Sequence, residues 1–240
     1  MHAPFVSPAL TIFSTAHNDL PPRHLGTRFD MSGTFLHEPG NTVVCHLVEG
    51  SRTQHAIVKA RQRILDMPQA SSHLAFTPVS SLHMTVFQGI IEYRRDWPFW
   101  PREMPATASI TQMTEYYLEK LEGFARLPAF AMQVKAVTPN GLTLCEATAE
   151  DDRIIAAWRN AFAEVFGYRH PDHDTYEFHI TFAYVIRWFD PASLPMWQRT
   201  LDECLEELRS EVPVLEMRPP AFCEFDDMKH FEELMVFEPG

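Results

Sequence analysis

Two short stretches of this chain alternate apolar and polar positions with period two, the spacing that sends successive side chains to opposite faces of a β-strand. They are Ser81-Leu82-His83-Met84-Thr85-Val86-Phe87 and Tyr176-Glu177-Phe178-His179-Ile180-Thr181-Phe182. In the first, His83, Thr85 and Phe87 fall on one face and Leu82, Met84 and Val86 on the other. His179, Thr181 and Ala183 repeat that phasing in the second. Each strand thus presents a His-x-Thr triplet on one side and an apolar row on the other.

Around the triplets the pattern shifts to helical spacing. Ile57, Ala60, Ile64 and Leu65 predict a helix over about 54–67, and Ile155, Trp158, Phe162 and Val165 predict one over 152–166. Each is preceded by a strand-like run, from Thr42 to Ser51 and from Leu142 to Asp151, whose last residue is a good helix N-cap. A strand-helix-strand unit therefore occurs twice, starting near 42 and near 142. The aligned cysteines, Cys45 and Cys145, lie 100 positions apart and the motif histidines 96, so the copies differ by a small insertion. A weaker likeness continues with helices near 111–121 and 196–210 and strands near 130–137 and 214–217. Pro139-Asn140-Gly141 joins the halves as a hairpin turn.

This order predicts an α+β fold: a bilobal, pseudo-two-fold duplication with mainly antiparallel sheets backed by helices, and both His-x-Thr strands facing a central cleft. Residues 40–240 read as a single bilobal domain. Residues 1–39, outside the repeat and rich in proline and turn formers, read as an N-terminal arm packed on a lobe or a lid over the cleft.

Composition narrows the setting. With 240 residues, 45% of them hydrophobic, the chain can bury a sizeable core. No apolar run approaches the roughly 20 residues of a membrane span, and the N-terminus lacks a signal-peptide core, so a cytoplasmic monomer without a membrane partner is expected. Cys45, Cys145, Cys204 and Cys223 are widely spaced in apolar patterns and read as buried free thiols. A formal net charge of −12 argues against a long nucleic-acid track but leaves a small or terminal phosphate compatible. The basic pair Arg94-Arg95, before Trp97-Pro98-Phe99-Trp100, reads first as a surface loop with packed aromatics and second as a nucleotide contact.

The triplet alone is cheap. Among 12 histidines a third copy, His173-Asp174-Thr175, sits in a polar turn-like stretch and reads as chance. The weight rests on matched phase within matched repeats. Two histidines across a pocket can serve as the base and the acid of phosphodiester hydrolysis, and hydroxyls two residues away can hydrogen-bond the nonbridging oxygens. His83 and His179 are the candidate catalytic residues, Thr85 and Thr181 the candidate phosphate ligands. His46 aligns with Glu146 and gains nothing from symmetry. Tyr176, Tyr184 and Trp97 could stack on a base, though core packing is the commoner fate of aromatics.

Paired His-x-Thr motifs in two pseudo-symmetric halves resemble the 2H phosphoesterase superfamily, named for its two histidines, which includes RNA ligase-like and cyclic nucleotide phosphodiesterase-like proteins. Gly33-Thr34-Phe35-Leu36 with Pro39-Gly40-Asn41-Thr42-Val43-Val44-Cys45-His46 is similar to a largely bacterial branch without an established substrate. The resemblance implies a phosphodiesterase that uses no metal and no cofactor, with His83 and His179 as the acid/base pair and Thr85 and Thr181 on the phosphate. Its expected partner is a small nucleotide with a 2′,3′-cyclic phosphate or a related cyclic phosphodiester, or an RNA end. A noncatalytic nucleotide-binding module and a histidine-rich metallohydrolase are the alternatives.

Overall fold

The computed structural model describes residues 5–240. The first regular element is the short helix α1 (Pro8–Thr11), capped by Ser7, and the repeat begins at β1 (Gly40–His46). Ser51 caps α2 (Arg52–Leu65) by accepting from the Gln54 amide, which satisfies one of the unpaired donors of the first turn. Next come α3 (Ala70–His73), β2 (Leu74–Phe76), the first motif strand β3 (His83–Ile91) and α4 (Ile110–Leu121). A hairpin of β4 (Met132–Thr138) and β5 (Gly141–Glu146) turns at Pro139-Asn140, as the sequence predicts, and leads to α5 (Ala149–Phe166). The second motif strand β6 (His179–Thr181), β7 (Ala183–Val185), α6 (Leu194–Glu211), β8 (Ala221–Phe225) and β9 (Glu232–Val236) complete the chain.

The fold is α+β. Seven strands form one antiparallel sheet in the order β4-β5-β6-β3-β1-β8-β9, and β2 pairs with β7 in a separate ribbon. The strand order displays the duplication directly. Reading outward from the centre, β6, β5 and β4 on one side correspond to β3, β1 and β8 on the other, so the pseudo-two-fold runs between the two motif strands. The halves exchange elements: β4 follows the first copy but pairs with β5 of the second, and β8 follows the second but pairs with β1 of the first. The helices do the same. α5, which follows β5, packs beneath β3, while α2, which follows β1, packs against α6 on β4.

Beneath the sheet lies the main core. Met84, Val86 and Ile180 point into it from the motif strands and meet Trp158, Phe162 and Phe166 of α5 and Tyr117 of α4. Burying side chains of this size contributes about 1.5–3 kcal/mol each before entropy is charged against it. Residues 5–39 are tied to this body. Ser14 and Phe189 form an isolated bridge, the Ser7 amide donates to Gln198 of α6, and Phe29 packs with Ala75 and Ile186 against the β2–β7 ribbon.

Two local expectations need correction. Asp151 is not the N-cap of α5: Thr148 accepts from the Asp151 amide and caps the helix three residues earlier. Asp151 instead takes the Thr148 hydroxyl and the Ala131 amide on its carboxylate, so it ties the helix start to the start of β4. The stretch 214–217 forms only isolated bridges, Leu215 to Met132 and Met217 to Leu47, and the strands of this region are β8 and β9 further on. Pro219 and Pro220 follow after Arg218, and proline cannot donate to a ladder. The four cysteines are free thiols, with Cys145 only half-buried. No helix among the described residues is long and apolar enough to cross a membrane.

Candidate active site

β3 and β6 meet at a single registered pair, Met84 opposite Ile180, the middle residues of the two triplets. Both of these side chains are fully buried on the helix side. Since neighbours alternate faces, the residues flanking them point the other way, and the antiparallel register sets His83 across from Thr181 and Thr85 across from His179. All four line one pocket on the open face of the sheet. Each histidine stands beside the threonine of the other triplet, at the pseudo-two-fold axis.

Beyond each threonine the expected alternation slips. Phe87 does not share a face with His83 and Thr85. It turns under the sheet, fully buried, with its ring 5.0 Å from Phe166 and 6.3 Å from Phe162. The cause is a β-bulge: Val44 pairs with Thr85 and Val43 with Phe87, which leaves Val86 without a partner residue in β1. The slip brings Gln88 to the pocket. In the second copy β6 ends after Thr181, because the amides of Phe182 and Ala183 both turn to the Asn140 carbonyl. Ala183 is consequently buried and Tyr184, rather than Ala183, lines the pocket. Gln88 and Tyr184 each lie three residues after the triplet's threonine, so the slip preserves the internal symmetry.

The histidines are oriented alike. His83 Nδ1 donates to the Ser81 carbonyl at 2.7 Å and His179 Nδ1 donates to the Glu177 carbonyl at 2.9 Å, in each case two residues back along the chain. A carbonyl only accepts, so the proton sits on Nδ1 and a neutral imidazole keeps its lone pair on Nε2. Their environments differ. His83 packs under Phe231, ring centroids 4.1 Å apart, whereas His179 is exposed. Burial pushes His83 down to about 3, with positive charge on His46 and His179 acting in the same direction and the Ser81 carbonyl opposing.

His46 stands opposite His83 on β1 but lines a neighbouring pocket, where its Nδ1 meets Glu233 at 2.9 Å. Arg218 bonds the other oxygen of the same carboxylate at 2.8 Å. His173 of the third triplet is buried away from the site and bonds Asn160. Of the three aromatics considered for stacking, only Tyr184 reaches the pocket; Tyr176 lies beneath Arg159, and Trp97 is exposed under Arg102. Arg95 turns inward onto Glu92, Ala108 and the Trp100 ring. Among the described residues no group of three or more His, Cys, Asp and Glu side chains is placed to hold a metal ion.

Three lining residues carry no sequence signal of their own. Gln88 is hidden by the bulge, Phe231 lies in a loop between β8 and β9, and Arg28 comes from the segment before the repeat. Arg28 donates from Nε to the buried Glu38 and lies 5.3 Å from the Tyr184 ring centroid.

Among curated proteins, none matches the chain. A crystal structure of a conserved protein of unknown function from Agrobacterium tumefaciens str. C58 is 62% identical, with a TM-score of 0.96 over 97% of this chain and 100% of that one. The family 2H-phosphodiest, described as a domain of unknown function (DUF1868), matches residues 28–160, which include Arg28, the bulged strand and the first triplet. With that match over more than half its length, the chain belongs to the 2H-phosphodiest family and carries a phosphoesterase-family domain.

Proposed function

We propose that this protein is a metal-independent phosphodiesterase that hydrolyses a 2′,3′-cyclic phosphate, or a related cyclic phosphodiester, of a nucleotide or RNA end. The observation that carries the reading is the meeting of the two triplets at Met84 and Ile180, which sets two like-oriented imidazoles and two hydroxyls on the wall of one pocket. In this reading the half-buried, neutral His83 takes a proton from water through Nε2 while the water oxygen bonds to phosphorus. The exposed His179, in its protonated form, gives its Nε2 proton to the ribose oxygen as the phosphorus–oxygen bond breaks. One water is consumed, and proton exchange with solvent at the two histidines resets the pair.

The Thr85 and Thr181 hydroxyls donate to the nonbridging oxygens, where negative charge builds in the transition state. The phosphate anion itself favours the charged form of a nearby imidazole, so bound substrate lifts His83 from its depressed value and makes it a better base when it is needed.

The experiment is turnover of nucleoside 2′,3′-cyclic phosphates by the wild type, His83→Ala and His179→Ala, with and without EDTA. Loss of at least about 10³-fold in either variant, with the wild type indifferent to chelator, is the expected result. Activity in either variant close to the wild type would sink the assignment.

A further inference from the structure

Arg28 is the sole Arg or Lys among the residues lining the pocket. It sits at the end away from the histidines, beside Tyr184 and the stretch of β3 around Gln88. Its Nε is engaged by Glu38, and the rest of the guanidinium lies against the Tyr184 side chain at the pocket. Behind it Arg94 reaches Gln88 Oε1 from Nη2 at 3.3 Å, while its guanidinium lies 4.5 Å from the Phe99 ring centroid. Neither Arg94 nor the nearby, exposed Arg23 forms an ion pair among the described residues, and the buried Glu38 carboxylate pairs with Arg28. The field the three arginines create is felt at His24, which is pushed down to about 4 by burial and by Arg28, Arg23 and Arg94.

In a chain of net charge −12, an uncompensated positive cluster at the end of a phosphate-binding cleft calls for an anion. Arginine rather than lysine suits a phosphate, because its fork presents parallel donors to two oxygens. The spacing is informative. A strand rises about 3.4 Å per residue, and because of the bulge Thr85 to Gln88 spans only the two steps from Val44 to Thr42 on β1, so Gln88 lies about 7 Å along the sheet from Thr85. An anion bound at the arginines is therefore a different group from the one held between the histidines.

We propose that the Arg28 end of the cleft is a second anion subsite, and that the substrate class is a cyclic phosphodiester carrying a further phosphate about 7 Å from the scissile one, as a 5′-phosphorylated nucleoside 2′,3′-cyclic phosphate does. This rests on the phosphodiesterase reading above, and it gives residues 5–39 a direct part in choosing the substrate. Arg28 supplies the Nη donors, Glu38 fixes the direction of its guanidinium, and Arg94 with Gln88 closes the far side.

Calorimetric titration separates this proposal from the catalytic one, since it needs no turnover. The product-like probes are adenosine 3′,5′-bisphosphate and adenosine 3′-phosphate. The wild type should bind the bisphosphate at least about tenfold more tightly. That preference should collapse in Arg28→Met/Glu38→Gln, a pair chosen so that no buried carboxylate is left alone, and shrink in Arg94→Gln, which stands in should the double variant not fold. Equal affinity for the two probes in the wild type, or a preference that survives both variants, overturns the subsite. Hydrolysis assays with 2′,3′-cyclic phosphates bearing or lacking a 5′-phosphate complete the test. Turnover indifferent to the 5′-group removes the subsite and leaves the reaction standing. An Arg28-dependent binding preference without turnover of either substrate keeps the subsite and removes the reaction.

Discussion

His46 and His83 face each other across the β1–β3 ladder, ring centroids 5.9 Å apart and ring planes at 69°. Two imidazoles this close resist being charged together. Burial is the larger reason that His83 stays neutral, and His46 is the next. Removing His46 therefore makes His83 easier to protonate. His46→Gln should move the acid limb of the kcat/KM profile to higher pH, because that limb reports loss of the neutral base in the free enzyme. A pH–rate series on the two proteins checks it, and a limb that stays in place or moves to lower pH contradicts the assignment of His83 as base.

The crossed arrangement, each histidine beside the other triplet's threonine, makes the hydroxyls separable from the strands that carry them. Thr85→Val and Thr181→Val keep the β-branched shape that suits a strand and remove only the donor. Each should lower kcat by about 10²-fold, the usual loss for one donor to a developing oxyanion. Thr→Ser at either position should recover most of the rate. Steady-state kinetics on the four variants decides it: valine variants as active as the wild type would mean the phosphate is held elsewhere.

The paired triplets are legible in the chain because period-two alternation survives as far as Thr85 and Thr181 and because the strand-helix lead-in occurs twice. Past those threonines legibility ends. The bulge at Val86 depends on the register that β1 imposes from about 40 residues away, and the break after Thr181 depends on the Asn140 carbonyl, so neither leaves a local mark. Phe87 accordingly reads as a cleft residue and belongs to the core, while Gln88 and Tyr184 take its side of the sheet. Arg28 is silent for another reason: nothing in a proline-rich arm tells which of its arginines returns to the sheet. Asp151 reads as the cap that Thr148 makes because both residue types are good caps and lie three apart.

Several histidines make the fold sensitive to mild acid. Burial holds His83 at about 3 and, aided by neighbouring arginines, His24 and His173 at about 4. In the unfolded chain each returns to about 6.5. The unfolded state then binds more protons than the native state below that value, so stability is complete above about pH 6.5 and declines as pH falls toward 4. Depressed carboxylates such as Glu103, held at about 2 by Lys120, add to the loss only below about pH 4.5. Urea melts between pH 7 and pH 5 thus isolate the histidines. The free energy of unfolding should fall across that window, and it should fall less steeply in His24→Gln. A flat or rising profile would show that these imidazoles are protonated in the native state.

Gly141 tests how closely the two halves must approach for the site to exist. It opens β5 with φ +150°, pairs with Thr181, and a Cβ there would lie 2.1 Å from the Ile180 carbonyl oxygen. That oxygen is backbone and cannot swing away as a flexible side chain would. Gly141→Ala must therefore displace β6 as a whole, and β6 is the strand that sets His179 and Thr181 against the first triplet. The expected outcome is a loss of about 3 kcal/mol or more in stability, the range reserved for backbone clashes and strain rather than surface change. Activity should fall even at temperatures where the variant remains folded, since a displacement of about 1 Å at the reacting groups costs about 10²-fold. Thermal melts beside kcat measured well below the variant's Tm distinguish the two effects: full activity in a folded Gly141→Ala protein would mean that the Ile180 strand is not what fixes the second histidine.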